Sequence, residues 1–368
     1  MKTIGEIPVV ISRGTPYEIG RSHGKAYPEK IQRSFAFNLQ LSLDQGEITR
    51  KELYEIAQGF IKPVERYNKD YLEEIQGIAD GCGMRLEDIM VLNCRTELQK
   101  LFCHKQPGES CTSIAVTGER TVDGATYAGQ NWDNYGWSEE CLIVHIIEQA
   151  NGKPSIAYCG EAGIITRSGM NSCGIADGVN TMSTNAPVNL EGVPLQFLLR
   201  GVLDSRSLGE AIDAVNRGKN AAVNNLLIAQ KDHEAVDVEL DTGCCGILYA
   251  RDGILTHANH YVSPGHPRYP YVDLGKGNSI IRHNRSEKLL RAIEGKISVA
   301  DIQQVFADHG DAPQSICRHG DISLPKEKQS ETVMGFICNL TTLEMYLAPH
   351  NPCQGYVAWK PFDLLKQP

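Results

Sequence analysis

Gly108-Glu109-Ser110-Cys111-Thr112-Ser113-Ile114-Ala115-Val116 puts a thiol where a loop carrying Gly and Pro (Gln106-Pro107-Gly108) becomes an apolar, β-prone run. A thiol at the start of a strand, after a flexible loop, is well placed to be reached. The next run, Thr121 to Asp133, reads Thr-Val-Asp-Gly-Ala-Thr-Tyr-Ala-Gly-Gln-Asn-Trp-Asp. Its Asp123-Gly124 pair signals a hairpin, because glycine takes positive φ without steric cost. With a three-residue loop, Val122 to Gly124, Thr121 pairs with Ala125 and Ser113 with Asp133. Side chains alternate faces along a strand, so Asp133 is then expected on the face of Ser113 and Cys111. A two-residue loop puts it on the other face, so the turn type decides this placement.

Outward from this stretch the texture differs on the two sides. Residues 4–12 read as a strand. Thr15-Pro16-Tyr17-Glu18 then reads as a helix start, with Thr as N-cap, Pro at the first helical position and Glu closing a capping box. That helix is expected to run to about Phe37, with Gly20 and Gly24 on one face allowing another backbone close. Apolar residues at three- and four-residue spacing predict helices over 49–68, 70–82 and 86–100. Beyond Cys111 strands are expected at 112–117, 125–131, 141–149, 154–166 and about 172–180. Helices at 193–204 and 207–216 follow, then strands at 222–230, 234–240, 245–251 and 254–261. Helices at 285–294 and 298–309 and strands at 332–338 and 344–348 complete the reading. Adjacent hairpins with helical pairs between them predict an α+β protein, two packed antiparallel sheets flanked by helices.

The composition narrows the function class. The 368 residues carry 36 basic and 45 acidic side chains, and a net charge of -9 argues against a nucleic-acid surface. No apolar run is long enough to span a bilayer, and the N-terminus lacks the apolar core of a signal peptide. A cytoplasmic location without membrane or nucleic-acid partners is the expectation. Twelve cysteines in a long chain without a secretion signal do not read as a disulfide framework. No Cys-x-x-Cys pair marks a zinc site, Cys244 and Cys245 are adjacent, and Cys317 and Cys338 sit in apolar runs that read as core.

Three polar clusters fall in β-rich context: Gln130-Asn131-Trp132-Asp133, His257-Ala258-Asn259-His260 and Ser315-Ile316-Cys317-Arg318-His319. Each also reads as turn chemistry alone. His257 and His260, three apart, would point to opposite faces of a strand with no third ligand near, so no metal is expected. Cys111 with a distant histidine as a papain-like pair lacks the usual surroundings of that cysteine.

Thr15-Pro-Tyr-Glu-Ile-Gly, Arg95-Thr-Glu97, Ser110-Cys111-Thr-Ser, Gly129-Gln-Asn-Trp-Asp133, Glu161-Ala-Gly-Ile-Ile, His257-Ala-Asn-His260 and Ser315-Ile-Cys-Arg318 occur in that order. Together they resemble the acyl-coenzyme A:6-aminopenicillanate acyltransferase (isopenicillin-N acyltransferase) family and its C45 peptidase relatives, over about residues 10 to 350. These are N-terminal nucleophile hydrolases, and the resemblance implies a four-layer αββα sandwich. It implies self-cleavage between Ser110 and Cys111, with Ser110 where the best-known member has Gly. The products would be a helical chain 1–110 and a catalytic chain 111–368 that stay together as one globular unit.

The resemblance also implies roles. Cys111 is the nucleophile, Asn259 an oxyanion donor, Asp133 the group that orients the Cys111 amine, and Arg318 a cation close to the thiol. Gln130 and Asn180 are implied as supporting residues. Tyr127 and Trp132 are candidates to line an acyl pocket, or simply core. A free α-amino group titrates near pH 7.7–8 and can take its own thiol's proton. The expected activity is hydrolysis of a linear amide of a small acylated amine through an acyl-thioester, without a cofactor. Acyl-CoA-dependent N-acyl transfer is the alternative, although no Gly-rich phosphate cradle marks a CoA site. A non-catalytic scaffold that binds acyl compounds is the third reading.

Overall fold

A computed structural model describes residues 2–46, 48–102, 110–182, 186–242, 245–264, 277–325 and 328–366. Gly108, Glu109 and Cys244 lie outside them. Strands β1 (Thr3–Ile4) and β2 (Ile7–Gly14) lead into α1 (Pro16–Ala26), α2 (Pro28–Gln45), α3 (Arg50–Gly59), α4 (Ile61–Tyr67), α5 (Lys69–Cys82), α6 (Leu86–Asn93) and α7 (Arg95–Phe102). The Thr15–Glu18 capping box forms as read, with both reciprocal bonds present. Three expected single helices are each two. Pro28 lacks an N–H and restricts Tyr27 (φ −146°), so the first breaks there and Pro28 starts α2. The others break at Phe60 and Cys94.

The small residues of α1 act as read. Gly20 and Gly24 face Gly77 and Gly81 of α5, and a Cβ at Gly20 or Gly77 would run into a backbone carbonyl of the other helix. The two helices therefore pack backbone on backbone.

The secondary structure expected beyond Cys111 holds in outline. Strands β3 (Ser110–Val116), β4 (Tyr127–Tyr135), β5 (Leu142–Gln149), β6 (Ile156–Glu161), β7 (Gly169–Asn171) and β8 (Ile175–Thr181) precede α8 (Leu195–Leu203) and α9 (Leu208–Arg217). Strands β9 (Asn224–Gln230), β10 (Glu234–Leu240), β11 (Cys245–Tyr249) and β12 (Ile254–His257) follow, then α10 (Gly277–Arg291) and α11 (Val299–Phe306). Strands β13 (Ser330–Asn339), β14 (Glu344–Ala348) and β15 (Val357–Trp359) close the chain. One sheet runs β1-β2-β5-β6-β7-β8-β9-β10-β11 and the other β12-β3-β4-β13-β14-β15. All pairings are antiparallel except β2 with β5.

Three apolar layers join four structural ones. Ile31, Ile75, Ile89, Leu198 and Val215 bind the N-terminal helices, α8 and α9 to the larger sheet. Cys111, Ala115 and Trp132 meet Val144, Ala176 and Leu227 between the sheets. Ile114, Val116, Leu290 and Phe306 join the smaller sheet to α10 and α11. The arrangement is the αββα sandwich the resemblance implied. Complete burial of side chains such as Trp132, Ile75 and Phe306 supplies roughly 1.5–3 kcal/mol each by the hydrophobic effect.

Candidate active site

Strand β3 lies between β12 and β4, one strand in from the edge of the smaller sheet, and its alternation divides the site. Cys111, Ser113 and Ala115 face the larger sheet, while Ser110, Thr112, Ile114 and Val116 face α10. The register places Ser110 opposite Asp133 and Cys111 opposite Trp132. The expected Ser113–Asp133 pairing is therefore corrected: Asp133 points to the Ser110 face, opposite the thiol. Asp123-Gly124 does turn, with Gly124 at φ 70°. The strands, however, stop at Val116 and resume only at Tyr127, because Val122 and Arg120 exchange backbone bonds with Ile297 instead.

Two buried side chains converge on Ser110–Cys111–Thr112. Asn259, just past β12, accepts the Cys111 backbone N–H at 3.0 Å through Oδ1 and donates its Nδ2 to the Thr181 carbonyl at 2.8 Å. Arg282, on the buried face of α10, donates Nη1 to the Cys111 carbonyl at 2.5 Å and to Thr112 Oγ1 at 3.0 Å. Its Nη2 donates to Ser110 Oγ at 2.6 Å and Asn259 Oδ1 at 2.8 Å. Ser279, one turn earlier on α10, fixes the neighbouring loop by accepting the Asn259 N–H at 2.7 Å and pairing with His260 Nδ1 at 2.8 Å.

Arg282 escaped the sequence reading. The signal was present: Ser279, Arg282, Ser286 and Leu290 recur at helical spacing as the buried stripe of α10, and an arginine inside such a stripe must find oxygens to bind.

The other predicted residues sit in two places. Asp133 accepts Thr332 Oγ1 at 2.6 Å, and its other oxygen is 3.7 Å from Arg318 Nε. A register shift in β13 between Thr332 and Met334 brings that hydroxyl over the carboxylate. Burial pushes the Asp133 carboxyl up, against the pull of Arg318 and Arg282. Arg318 is held by Ser330 Oγ at 3.0 Å and by Gln314, so its guanidinium serves Asp133 on the helix side of the sheet. The cation shown against the Cys111 segment is Arg282.

Trp132 is fully buried across from Cys111, with the Arg167 guanidinium 4.5 Å from its ring centre. Gln130 bonds the backbone of Val179 in the opposite sheet. Asn180 Oδ1 accepts Ser113 Oγ at 2.9 Å and Asn225 Nδ2 at 3.2 Å. Tyr127 lies at the far end of β4 against α10 and α11, its hydroxyl donating to Asp123 at 2.8 Å, away from Cys111.

The His257 cluster is an electrostatic support. Its Nε2 is 2.8 Å from Glu239 and 3.5 Å from Asp237, and its Nδ1 pairs with the Ala258 carbonyl. Burial disfavours the charged imidazole, but the two carboxylates outweigh it and His257 is raised. Glu239, despite burial, is pulled down to about 2 by His257 and Ser263. Glu239 also accepts the N–H groups of Val262 and Ser263, so this pair anchors the loop that carries Asn259. Strand β12 ends at His257, and the rings of His257 and His260 lie 6.4 Å apart and near parallel rather than on opposite faces.

Among the described residues no helix is long and apolar enough to cross a membrane. Residues 120–352 match the profile of the family described as acyl-coenzyme A:6-aminopenicillanic acid acyl-transferase. The chain is 30% identical over 310 residues, 84% of each chain, to the 40 kDa form of acyl-coenzyme A:6-aminopenicillanic-acid-acyltransferase of Emericella nidulans. It is 22% identical to a beta-alanyl-dopamine/carcinine hydrolase of Drosophila melanogaster, over 64% of this chain and 65% of that one. A solved variant of the conjugated bile acid hydrolase of Clostridium perfringens overlays with a TM-score of 0.48 at 13% identity, covering 70% of this chain and 94% of that one.

Proposed function

The chain belongs to the acyl-coenzyme A:6-aminopenicillanic acid acyl-transferase family, and from that premise we propose that it cleaves itself before Cys111 and then works as an N-terminal-cysteine amidohydrolase. The observation that carries this reading is the convergence of fully buried Asn259 and Arg282 on the Ser110–Cys111 peptide. Burying a guanidinium and an amide against one strand peptide carries a desolvation cost that packing alone does not call for.

The Cys111 thiolate attacks the Ser110 carbonyl carbon. The oxyanion collapses, the Ser110–Cys111 C–N bond breaks, the nitrogen takes a proton, and a thioester joins the Ser110 carbonyl to Sγ. Water hydrolyses it, leaving a Ser110 carboxylate and a free α-amine and thiol on Cys111. Asn259 Oδ1 aligns the scissile N–H, and Arg282 supplies positive charge beside it. In the mature site the amine takes the Sγ proton, the thiolate attacks a linear acyl-amide, and the amine returns the proton to the leaving nitrogen. Water then releases the acyl group as a carboxylic acid. Asn259 keeps a second Nδ2 hydrogen for the substrate oxyanion, the first being held by Thr181. Asp133, beside Arg318 and Arg282, orients the new amine, and Trp132 walls the acyl side.

Acyl transfer from an acyl-CoA to an amine is the second reading, favoured by the activity in the name of the Emericella relative. Both share the acyl-thioester and differ in what resolves it. Incubating the processed protein with N-acyl amines, and separately with acyl-CoA plus free amines, separates them by mass-resolved product analysis. The proposal expects amide hydrolysis that Cys111→Ala abolishes. Products only from acyl-CoA plus amine establish transfer, and turnover retained by Cys111→Ala overturns both.

A further inference from the structure

Behind the smaller sheet, the stretch after α11 and a turn near the C-terminal end bring together four side chains that the proposed chemistry does not use. His309 follows α11, Cys317 and His319 flank Arg318, and Cys353 sits in the turn Pro352–Gln354. The two imidazole Nε2 atoms are 3.0 Å apart. Cys317 Sγ is 3.7 Å and Cys353 Sγ 3.5 Å from His319 Nε2. All four potential donor atoms lie within 4.8 Å of one another.

Bond lengths give the comparison. A tetrahedral zinc ion, with Zn–S near 2.3 Å and Zn–N near 2.05 Å, sets N···N at roughly 3.4 Å, N···S at roughly 3.6 Å and S···S at roughly 3.8 Å. The N···N separation and the two N···S separations from His319 match these edges to within a few tenths of an ångström, and the remaining pairs lie within 4.8 Å. A bare packing contact would not gather one imidazole Nε2 against a second imidazole Nε2 and two thiols. We propose that His309, Cys317, His319 and Cys353 form a Cys2His2 site for a structural zinc ion. Two thiolates and two imidazoles without a carboxylate suit zinc rather than magnesium or calcium. Four protein donors fill a tetrahedron and leave no position for substrate, so the site is structural.

The sequence reading missed it because it sought close cysteine pairs. Here Cys317-x-His319 supplies two donors, and the others come from ten residues upstream and from Cys353. The ion would tie the segment carrying Arg318 to the Pro352–Gln354 turn. Asn351 already makes that link from the other side, donating Nδ2 to the Arg318 carbonyl at 2.7 Å. Arg318 lies between two of the donors and reaches Asp133. The ion is thus a staple behind the active site rather than part of it.

The test is metal analysis of the full protein, purified reduced and without chelators or metal-affinity resin. About one zinc per chain is expected, and exchange for cobalt should give the visible d–d and thiolate charge-transfer bands of a tetrahedral site. Cys353→Ser and His309→Ala, both at exposed positions, should each lower bound metal about tenfold or more and erase those bands. Cys245→Ser, an exposed thiol outside the cluster, should change neither. Wild-type protein that takes up no zinc or cobalt when either is added overturns the proposal. So does a Cys317–Cys353 disulfide in a non-reducing peptide map, or metal retained unchanged by both ligand variants.

Discussion

Removing the Arg282 guanidinium should slow self-cleavage more than any change that leaves the nucleophile in place. The side chain is fully buried and, among the described residues, donates to the Cys111 carbonyl, Thr112 Oγ1, Ser110 Oγ and Asn259 Oδ1. A hydrogen bond to a charged group contributes about 1.5–3 kcal/mol, so losing one or two that hold the scissile segment removes roughly 3–4 kcal/mol. Since each 1.36 kcal/mol is a factor of ten in rate, Arg282→Met should slow cleavage by about 10²- to 10³-fold. Arg282→Lys keeps the charge, but one ammonium cannot span four acceptors, so an intermediate rate is expected. Thr112→Val deletes a single contact and should cost less than about tenfold. The assay is a time course of intact mass on chains made by cell-free translation, so that the starting material is uncleaved. Circular dichroism and the melting temperature show which variants fold. A folded Arg282→Met chain that cleaves at the wild-type rate refutes the reasoning.

Three further outcomes are expected. Asn259→Ala should slow both self-cleavage and turnover, the latter by about 10²-fold or more, measured by mass and by product release; wild-type rates in both would remove Asn259 from the mechanism. Burial pushes Glu97, which accepts the Leu195 N–H at the start of α8 at 3.0 Å, up to about 7. Its raised value means stability fully present below the unfolded value of 4.5 and lost as pH rises through about 7. Across that window the loss is at most about 3 kcal/mol. Glu97→Gln should flatten the fall in melting temperature between about pH 5 and about pH 8.5, and an unchanged profile would contradict the assignment. Gly77→Ala should destabilise by about 1–3 kcal/mol in urea because its Cβ meets the Tyr17 carbonyl, whereas Gly59→Ala, with open space around it, should not.

The sequence reading succeeded where local rules governed and failed where distant segments decided. The Thr15–Glu18 box and the Gly20/Gly24 face were legible because caps and close helix contacts depend on residues a turn apart. Two sheets flanked by helices followed from hydrophobic period and element order, and the four-layer stacking from the family resemblance. Pro28 carried a readable break signal that the apolar spacing masked. The β3–β4 register was not readable from Asp123-Gly124, because bonds between 120–122 and Ile297 lengthen the loop. Cys111, Asn259 and Arg318 were reachable through ordered motifs, but the face each occupies was not. Arg282 sits in no such motif, and its partners on β3 are about 170 residues away.

The central claim is that Cys111 becomes the N-terminus of a new chain. Intact mass spectrometry of freshly purified protein under denaturing conditions tests it directly. The account predicts two masses, those of residues 1–110 and 111–368, with cysteine as the new N-terminal residue, and only the full-length mass for Cys111→Ala. A single full-length mass for wild-type protein that nevertheless turns over an acyl-amide would contradict it.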